Sequence, residues 1–277
     1  NDTLFTAVAR QFTFNSRFDA TYHTSLRDSF ALFGGFSVRN YSQLASDVGN
    51  LKNIQTRDGG LLYRRRVNPR DSLGINYTLQ DFRFGPARRA LIHSAFFSFA
   101  KQISPSIAVD VFGGPEYSRL HDVVNLPFLF FTLHVPVFRT QWHWAIGGDL
   151  MKRTQSTVFH VAAQRQVSDG GGLIGAVVST YVGGSVRRRL PARWDAVWSA
   201  GYAKNTSLES AYGRNSFQTE TADFGLEHRL TERLSLRVGY DFIRQRSNEQ
   251  SPVVPNFDRD LWYARLLYRF EQIPLGR

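Results

Sequence analysis

The chain has 277 residues, and its 34 Lys and Arg against 23 Asp and Glu give a formal net charge of +11 at pH 7. A hydrophobic content of 42% with 14% aromatic residues excludes a disordered chain, and the lack of any run of about 18 apolar residues excludes a helical membrane protein. The absence of cysteine excludes disulfides, thiolate metal sites and thiol nucleophiles, and suits an oxidising envelope compartment.

Alternating apolar and polar residues predict about 14 β-strands, and about 12 or 16 would also fit. In the strand at 73–84, Leu73 and Ile75 face one way while Gly74 and Asn76 face the other, because successive side chains of a strand point to opposite faces. The predicted strands of the first half cover residues 3–12, 17–25, 30–41, 61–66 and 73–84, followed by strands around 95–99 and 107–116.

The second half continues this pattern and ends in a regular hairpin. Val238 and Tyr240 face away from Arg237 and Asp241, and the alternation returns in residues 262–270. An apolar face with aromatic residues near the strand ends, opposed by a charged face, is what a transmembrane barrel with a polar lumen needs. We therefore predict an all-β fold, a transmembrane antiparallel up-and-down β-barrel formed by residues 1–277 as a single domain. The other strands of this half cover residues 142–150, 157–165, 174–188, 194–205 and 217–230.

The connections between strands are predicted to alternate in length. Short turns at one rim and long loops at the other are typical of outer-membrane barrels. By this alternation both termini should lie in the periplasm and the strand count should be even. Because the chain begins at Asn1 without an apolar signal segment, we expect a processed form. Short turns fall near 27–29, 68–71, 104–106, 153–156, 190–193 and 231–233, and longer links near 43–59, 119–140, 168–172, 207–216 and 247–258.

Two soluble folds compete with the barrel. A β-sandwich also alternates apolar and polar residues, and a spacing of roughly forty residues per hairpin would suit propeller blades. A propeller should carry a recurrent motif, and none is visible. The consistent aromatic residues near strand ends and the crowding of Gly, Ser, Asp and Arg on the other face favour the barrel over the sandwich.

The end of the chain resembles the terminal strand of bacterial outer-membrane β-barrel proteins. In the segment 261–270, Tyr268 and Phe270 match the alternating aromatic residues with which that strand ends. Arg265 departs from the pattern, which usually has Gly there, and residues 271–277 continue beyond the phenylalanine. The resemblance implies a barrel of the outer membrane that is recognised by the assembly machinery.

The positive charge suggests anionic partners. Arginines scattered through strands and turns, with no basic stripe, speak against nucleic acid. They suit the phosphate groups of an outer leaflet, or a lumen that favours anions. We expect outer-membrane lipid and lipopolysaccharide as partners, and other envelope or extracellular proteins could dock on the loops. The sequence does not indicate an oligomeric state.

Catalytic and metal-binding constellations are weakly indicated. His121 and Asp122 lie together in a predicted loop, where a His–carboxylate pair could serve a hydrolase. His143 and Asp149 share a face but stand roughly 20 Å apart along a strand, too far for a dyad. We therefore predict no enzyme activity, no catalytic residues, no cofactor and no metal site.

Charges predicted to face the lumen form the candidate site. Rings of charge tune ion selectivity, whereas charges that bridge one another would fill a narrow barrel as a polar core, and both outcomes remain open. The predicted function is a porin-like passive channel for small hydrophilic solutes, with a structural barrel that docks a protein assembly as the alternative and an outer-membrane hydrolase as the least favoured. The predicted lumen charges are Arg39, Asp110, Glu116, Asp149, Asp195, Asp223, Glu227, Arg237, Asp241, Arg265 and Arg269.

Overall fold

The structure is a computed structural model that describes residues 9–43, 53–85, 88–128, 131–169, 175–208, 216–248 and 256–268. Thirteen β-strands in these ranges form one sheet, in which each strand pairs antiparallel with its neighbours in sequence. Across the same residues, no helix has the length and apolar character needed to cross a membrane. The strands are β1 Ala9–His23, β2 Asp28–Gln43, β3 Ile54–Arg66, β4 Asp71–Phe84, β5 Arg88–Ser104, β6 Ile107–Phe128, β7 Phe131–Arg153, β8 Thr157–Ser168, β9 Val177–Arg189, β10 Trp194–Ser207, β11 Ser216–Arg229, β12 Leu234–Ser247 and β13 Phe257–Tyr268.

The two faces of the sheet have different chemistry because the register carries the sequence alternation from strand to strand. Ile75 of β4 lies opposite Phe97 of β5, and both side chains are exposed on what we call the apolar face. Gly74 lies opposite Ser98 on the other side, which we call the polar face. One register shift occurs, between Gln102 and Ser104, beside the β5–β6 turn.

Short polar turns close the hairpins at one end of the sheet, the turn end. In the β3–β4 turn, Asn68 Oδ1 accepts hydrogen bonds of 2.8 Å from the amides of Arg70 and Asp71. Side chains that bond their own turn in this way favour tight reversals. The opposite end, the loop end, carries connections that range from residues 129–130 to residues 44–53.

The structure corrects three predicted boundaries. Residues 9–23 form one strand where two were predicted, so the described sheet has 13 strands rather than 14. The predicted long loop at 119–140 is largely strand, since β6 and β7 pair as far as Phe128 and Phe131. β3 starts at Ile54, inside the predicted loop at 43–59.

The described strands begin and end at opposite rims. β1 starts at the loop end and β13 finishes at the turn end, because the number of described strands is odd. Residues 1–8 and 269–277 lie outside the described ranges, so the periplasmic placement of both termini stays a prediction.

At the loop end the sheet closes over its polar face. Gln141 of β7 donates a hydrogen bond of 3.3 Å to the carbonyl of Leu208, after β10. Arg39 of β2 lies 3.9 Å from Asp169, after β8. Such contacts between distant strands require the polar face to be concave there. A cluster of buried apolar side chains lies at the same end: Ile54, Phe82, Phe84, Ala90, Ile92, Leu120, Val167, Ala176 and Leu208.

Candidate functional site

The register places ten of the predicted lumen charges on the polar face. Pairing joins Asp110 to Asp149 and Asp195 to Glu227, and steps of two residues along the strands bring the remaining members to the same side. Arg269 lies outside the described residues. Those placed on the polar face are Arg39, Asp110, Glu116, Asp149, Asp195, Asp223, Glu227, Arg237, Asp241 and Arg265.

A network of ion pairs surrounds Asp195 near the turn end. Its Oδ2 accepts hydrogen bonds from Arg187 Nη2 at 3.0 Å and from Arg229 Nη2 at 2.9 Å. Arg187 also reaches Glu227 Oε2 at 3.4 Å. The side chain of Asp195 is only 3% exposed, whereas both arginines keep more than a third of their surface open. The arginines thus hold the carboxylates against the sheet, and the arginine side chains themselves remain accessible on the polar face.

A second network lies on β11, β12 and β13. Asp223 accepts hydrogen bonds from Arg237 and from the Tyr263 hydroxyl, the latter at 2.6 Å. Arg265 stacks over the Tyr263 ring with its guanidinium carbon 4.3 Å from the ring centre. Asp241 lies opposite Asp223 in register and pairs with Arg259 Nη2 at 3.4 Å. Three guanidinium groups, two carboxylates and a phenol therefore share this area.

The other predicted charges lie in smaller groups. Asp110 and Asp149 are directly opposed on β6 and β7, and His160 Nε2 stands 3.7 Å from Asp149. Two carboxylates therefore lie side by side in this part of the polar face.

Glu116 links β6 to the end of β8. Its side chain accepts a hydrogen bond from Ser94 Oγ at 3.1 Å and another from the amide of Val167 at 3.0 Å. Glu116 is 2% exposed. The pairing of β7 with β8 stops at Ile146 and Arg165, so the last residues of β8 are free to lean onto the polar face. We call the Glu116–Val167 contact the latch.

Sequence reasoning missed several partners of the predicted charges. Arg187 was not among the predicted lumen charges, yet it bridges Asp195 and Glu227. Arg229 and Tyr263 were not singled out. Their signal was present, because each lies an even number of residues from a predicted lumen charge on the same strand.

The histidines do not form the constellations considered from sequence. His121 and Asp122 are strand neighbours and point to opposite faces: His121 stacks on Phe138 with ring centres 4.7 Å apart, and Asp122 pairs with Arg88 at 2.9 Å. They cannot act together on one substrate. Within the described ranges, no three His, Asp or Glu residues converge on a metal site.

The apolar face carries its own ordered features. Tyr77, His93, Tyr117 and Trp142 form a row across β4 to β7, which we call the girdle. The Tyr77 hydroxyl lies 2.7 Å from His93 Nδ1, and the rings of Tyr117 and Trp142 are 5.0 Å apart. A cavity of about 1160 Å³ is lined mostly by residues of this face, among them Ile75, Phe97 and Ile146, and also by residues of the polar face such as Ser98 and Gln164.

Comparisons with known proteins identify the fold but no close relative. No protein-family model matches the sequence, and no curated protein matches it. Solved structures do match. The FrpB iron transporter from Neisseria meningitidis (F5-1 variant) aligns with a TM-score of 0.57 and 12% identity, covering 94% of this chain and 50% of that one.

Two further solved structures agree. The ferric yersiniabactin uptake receptor FyuA from Yersinia pestis gives a TM-score of 0.51 and 10% identity over 88% of this chain and 44% of its own. The copper transporter OprC gives 0.51 and 8% identity over 89% and 57%. The chain spans about half the length of the solved proteins it matches. These matches confirm the predicted all-β antiparallel up-and-down fold and its likeness to outer-membrane β-barrels.

Proposed function

We propose that this outer-membrane β-barrel lies in the bacterial outer membrane with periplasmic termini and passes small hydrophilic solutes along its polar face. The observation that carries the proposal is the separation of the two faces. Ten charged side chains share the polar face through the strand register. Large apolar side chains stand exposed on the other face, among them Trp142 at 71% and Trp262 at 79%.

The two faces of the sheet suit different solvents. Aromatic side chains left open in water lose the stabilisation that hydrocarbon contact gives, so a face made of them belongs against lipid. Charged groups in hydrocarbon cost several kcal/mol each, so they belong against water. A sheet with both faces satisfied in this way separates lipid from an aqueous route.

The polar face also sets the size of what can pass. The networks around Asp195 and Asp223 hold their carboxylates against the sheet. Arg187 and Arg229 keep more than 40% of their side-chain surface accessible to solutes. Nearer the loop end, the latch and the apolar cluster narrow the concave side. A route with these properties fits small polar solutes. The three solved proteins described above are named as transporters or an uptake receptor, which supports transport as the class of function.

Conductance in planar lipid bilayers tests the proposal. The purified full chain should give stepwise currents in salt solution, because each inserted molecule adds one aqueous route. Protein that is folded, as judged by heat-modifiable gel migration, and that gives no steps would overturn the channel.

Ion selectivity gives a sharper test. Arg237→Gln removes one guanidinium and leaves Asp223 with the Tyr263 hydroxyl. We expect the cation-to-anion permeability ratio to rise by about twofold, measured as a reversal potential in a salt gradient. Lys204→Gln is the control, since Lys204 pairs with Gln218 and Thr180 in register on the apolar face. Equal shifts in both variants would contradict a route along the polar face.

A structural barrel that docks a protein assembly is the second candidate. The observation that favours it is the β6–β7 hairpin. β5 pairs with β6 no further than His121, while the hairpin continues to Phe128, a projection of roughly 20 Å. A projecting hairpin of this kind, which we call the arm, offers backbone hydrogen-bonding groups to a partner protein beyond the rest of the sheet. Stepwise currents that persist when residues 123–136 are replaced by an Asn-Gly turn would favour the channel, and folded protein without currents would favour the arm.

A further inference from the structure

The apolar face ends in a basic patch at the loop end of β3 to β6. Arg57, Arg83, Arg89 and Arg119 all lie on this face, with Asp81 as the one carboxylate among them. Arg57 is opposite Asp81, and Arg83 is opposite Arg89. These five residues define the basic patch, in which four guanidinium groups face one carboxylate.

The arginines of the basic patch are accessible and only partly paired. Asp81 accepts from Arg89 at 2.6 Å and from Arg83 at 3.2 Å, and its side chain is 11% exposed against 49% for Arg89. Arg119 lies 6.0 Å from the Phe138 ring. Among the described residues Arg57 has no ion pair. The four arginines and one carboxylate give the basic patch a net charge of +3, and Arg57 and Arg119 have no carboxylate partner among the described residues.

The position of the patch relative to the girdle matters as much as its charge. Arg119 follows the girdle residue Tyr117 by two positions on β6, and Arg57 lies two positions from Gly59, whose neighbour in register is Leu79. Two residues of strand advance about 7 Å. Aromatic girdles mark the level where hydrocarbon gives way to headgroups. The basic patch therefore stands at headgroup level and points outward, away from the polar face.

The same level on the far side of the sheet has balanced charge. There Arg244 lies 3.4 Å from Asp258, Arg246 lies 2.7 Å from Asp258, and the Tyr240 hydroxyl donates to Asp260. We call this set the neutral patch, because its three cationic side chains face three carboxylates: Lys204, Arg244, Arg246, Glu220, Asp258 and Asp260. Excess positive charge is thus a local property of β3 to β6 and not of the whole rim.

We propose that the basic patch binds the phosphate groups of a phosphorylated glycolipid of the outer leaflet, of the lipid A type. Guanidinium groups form paired, charge-assisted hydrogen bonds with phosphate oxygens. The girdle beneath them offers aromatic surface to the acyl chains, and Asp81 holds Arg83 and Arg89 in place. This binding goes beyond the transport proposal, since it concerns the outside of the wall and holds whether or not the barrel conducts.

Lipid binding to the purified full chain tests the proposal. Native mass spectrometry from detergent would count retained molecules of bisphosphorylated lipid A, of its dephosphorylated form, and of phosphatidylglycerol. We expect the wild-type protein to prefer bisphosphorylated lipid A. The double variant Arg57→Gln with Arg119→Gln should weaken that binding about tenfold or more, because it removes charge-assisted bonds and leaves the Asp81 pairs intact.

The matched control removes two cations from the neutral patch, Lys204→Gln with Arg244→Gln, and should leave lipid A binding unchanged. Equal losses in both double variants would overturn the site, since only net charge would then matter. Equal retention of the dephosphorylated lipid would overturn phosphate recognition, and equal retention of phosphatidylglycerol would overturn the choice of lipid A. Heat-modifiable migration of each variant shows that the barrel is folded.

Discussion

The buried carboxylate of Asp195 shows how single residues hold the polar face together. It is almost fully enclosed, yet both of its arginine partners reach open space. An ionised group in such a position is stable only while its hydrogen bonds are complete. The exposed pair of Arg17 and Asp19 on β1, 3.0 Å apart, offers the opposite case on the same face.

Asp195→Asn should therefore destabilise the folded protein more than Asp19→Asn. We expect a loss of roughly 1–2 kcal/mol for Asp195→Asn, reduced from the value for a fully buried pair because the arginines are half exposed. For Asp19→Asn we expect less than about 0.5 kcal/mol. Urea unfolding from lipid vesicles measures both, and equal losses would contradict the structural role assigned to Asp195.

At this scale the sequence predicted faces but not partners. Alternation along β11 and β12 is enough to place Asp223 and Arg237 on one side. It cannot tell which arginine meets which carboxylate, because that depends on the register between strands, which is set by the turns. Arg187 was missed for this reason: its neighbours in sequence are arginines, but its neighbours in space are acids.

Among the strands, the end of β8 behaves differently from the rest. It leaves β7 after Arg165 and is held at the polar face by the latch. Val167 is 3% exposed, so its amide has little access to water if Glu116 is lost. An amide left without an acceptor costs about 1–3 kcal/mol, which the strand can recover by moving away.

Glu116→Ala should accordingly release the end of β8. Hydrogen exchange of the peptide that contains Val167 should become faster by roughly tenfold or more. Glu116→Gln keeps an acceptor oxygen and should change exchange much less. If the alanine variant exchanges at the wild-type rate, the latch does not hold β8 in solution.

The β6–β7 hairpin shows where sequence patterns fail for a whole element. The segment 119–140, which contains Pro127 and Pro136, was predicted to be a long link and is largely strand. Proline removes a backbone donor and is confined to positions where the ladder does not need one. The outer part of this hairpin pairs only with itself, so each strand has one free side, and prolines opposite Thr132 and Val123 are tolerated there.

On the scale of the whole molecule, the proposed function requires the apolar face to contact hydrocarbon. Val161 on β8 belongs to a row of apolar residues that runs through Leu150 and Gly184. His160, the residue before it, lies on the polar face beside Asp149. Substitutions at these two adjacent positions therefore compare the apolar face with the polar face at the same depth.

Val161→Arg should destabilise the barrel by about 2–4 kcal/mol, because an arginine on the lipid face loses hydration. His160→Arg should cost less than about 1 kcal/mol, since the new charge meets Asp149 and water. Folding equilibria in phospholipid vesicles measure both. Similar costs at the two positions would show that the apolar face does not contact lipid.

The overall architecture was the part most accessible from sequence. The two-residue period predicted the strands, and the short turns identified the ends of most hairpins. The number of strands was less secure, because residues 9–23 contain polar interruptions that suggest a break where the backbone continues its pairing with β2. Pairing with a neighbouring strand overrides weak local alternation, and this pairing cannot be read from one segment alone.

The register has a consequence for how this molecule can change over generations. Only the Gln102–Ser104 irregularity interrupts the described pairings. Inserting or deleting one residue inside a strand would therefore move the apolar side chains beyond the insertion or deletion to the polar face, and the polar side chains to the apolar face. Substitutions that keep the side-chain parity leave the wall intact, and length changes are harmless only in connections. Many different sequences can therefore satisfy the same register, and solved barrels that share only 8–12% of their residues with this chain have a similar fold.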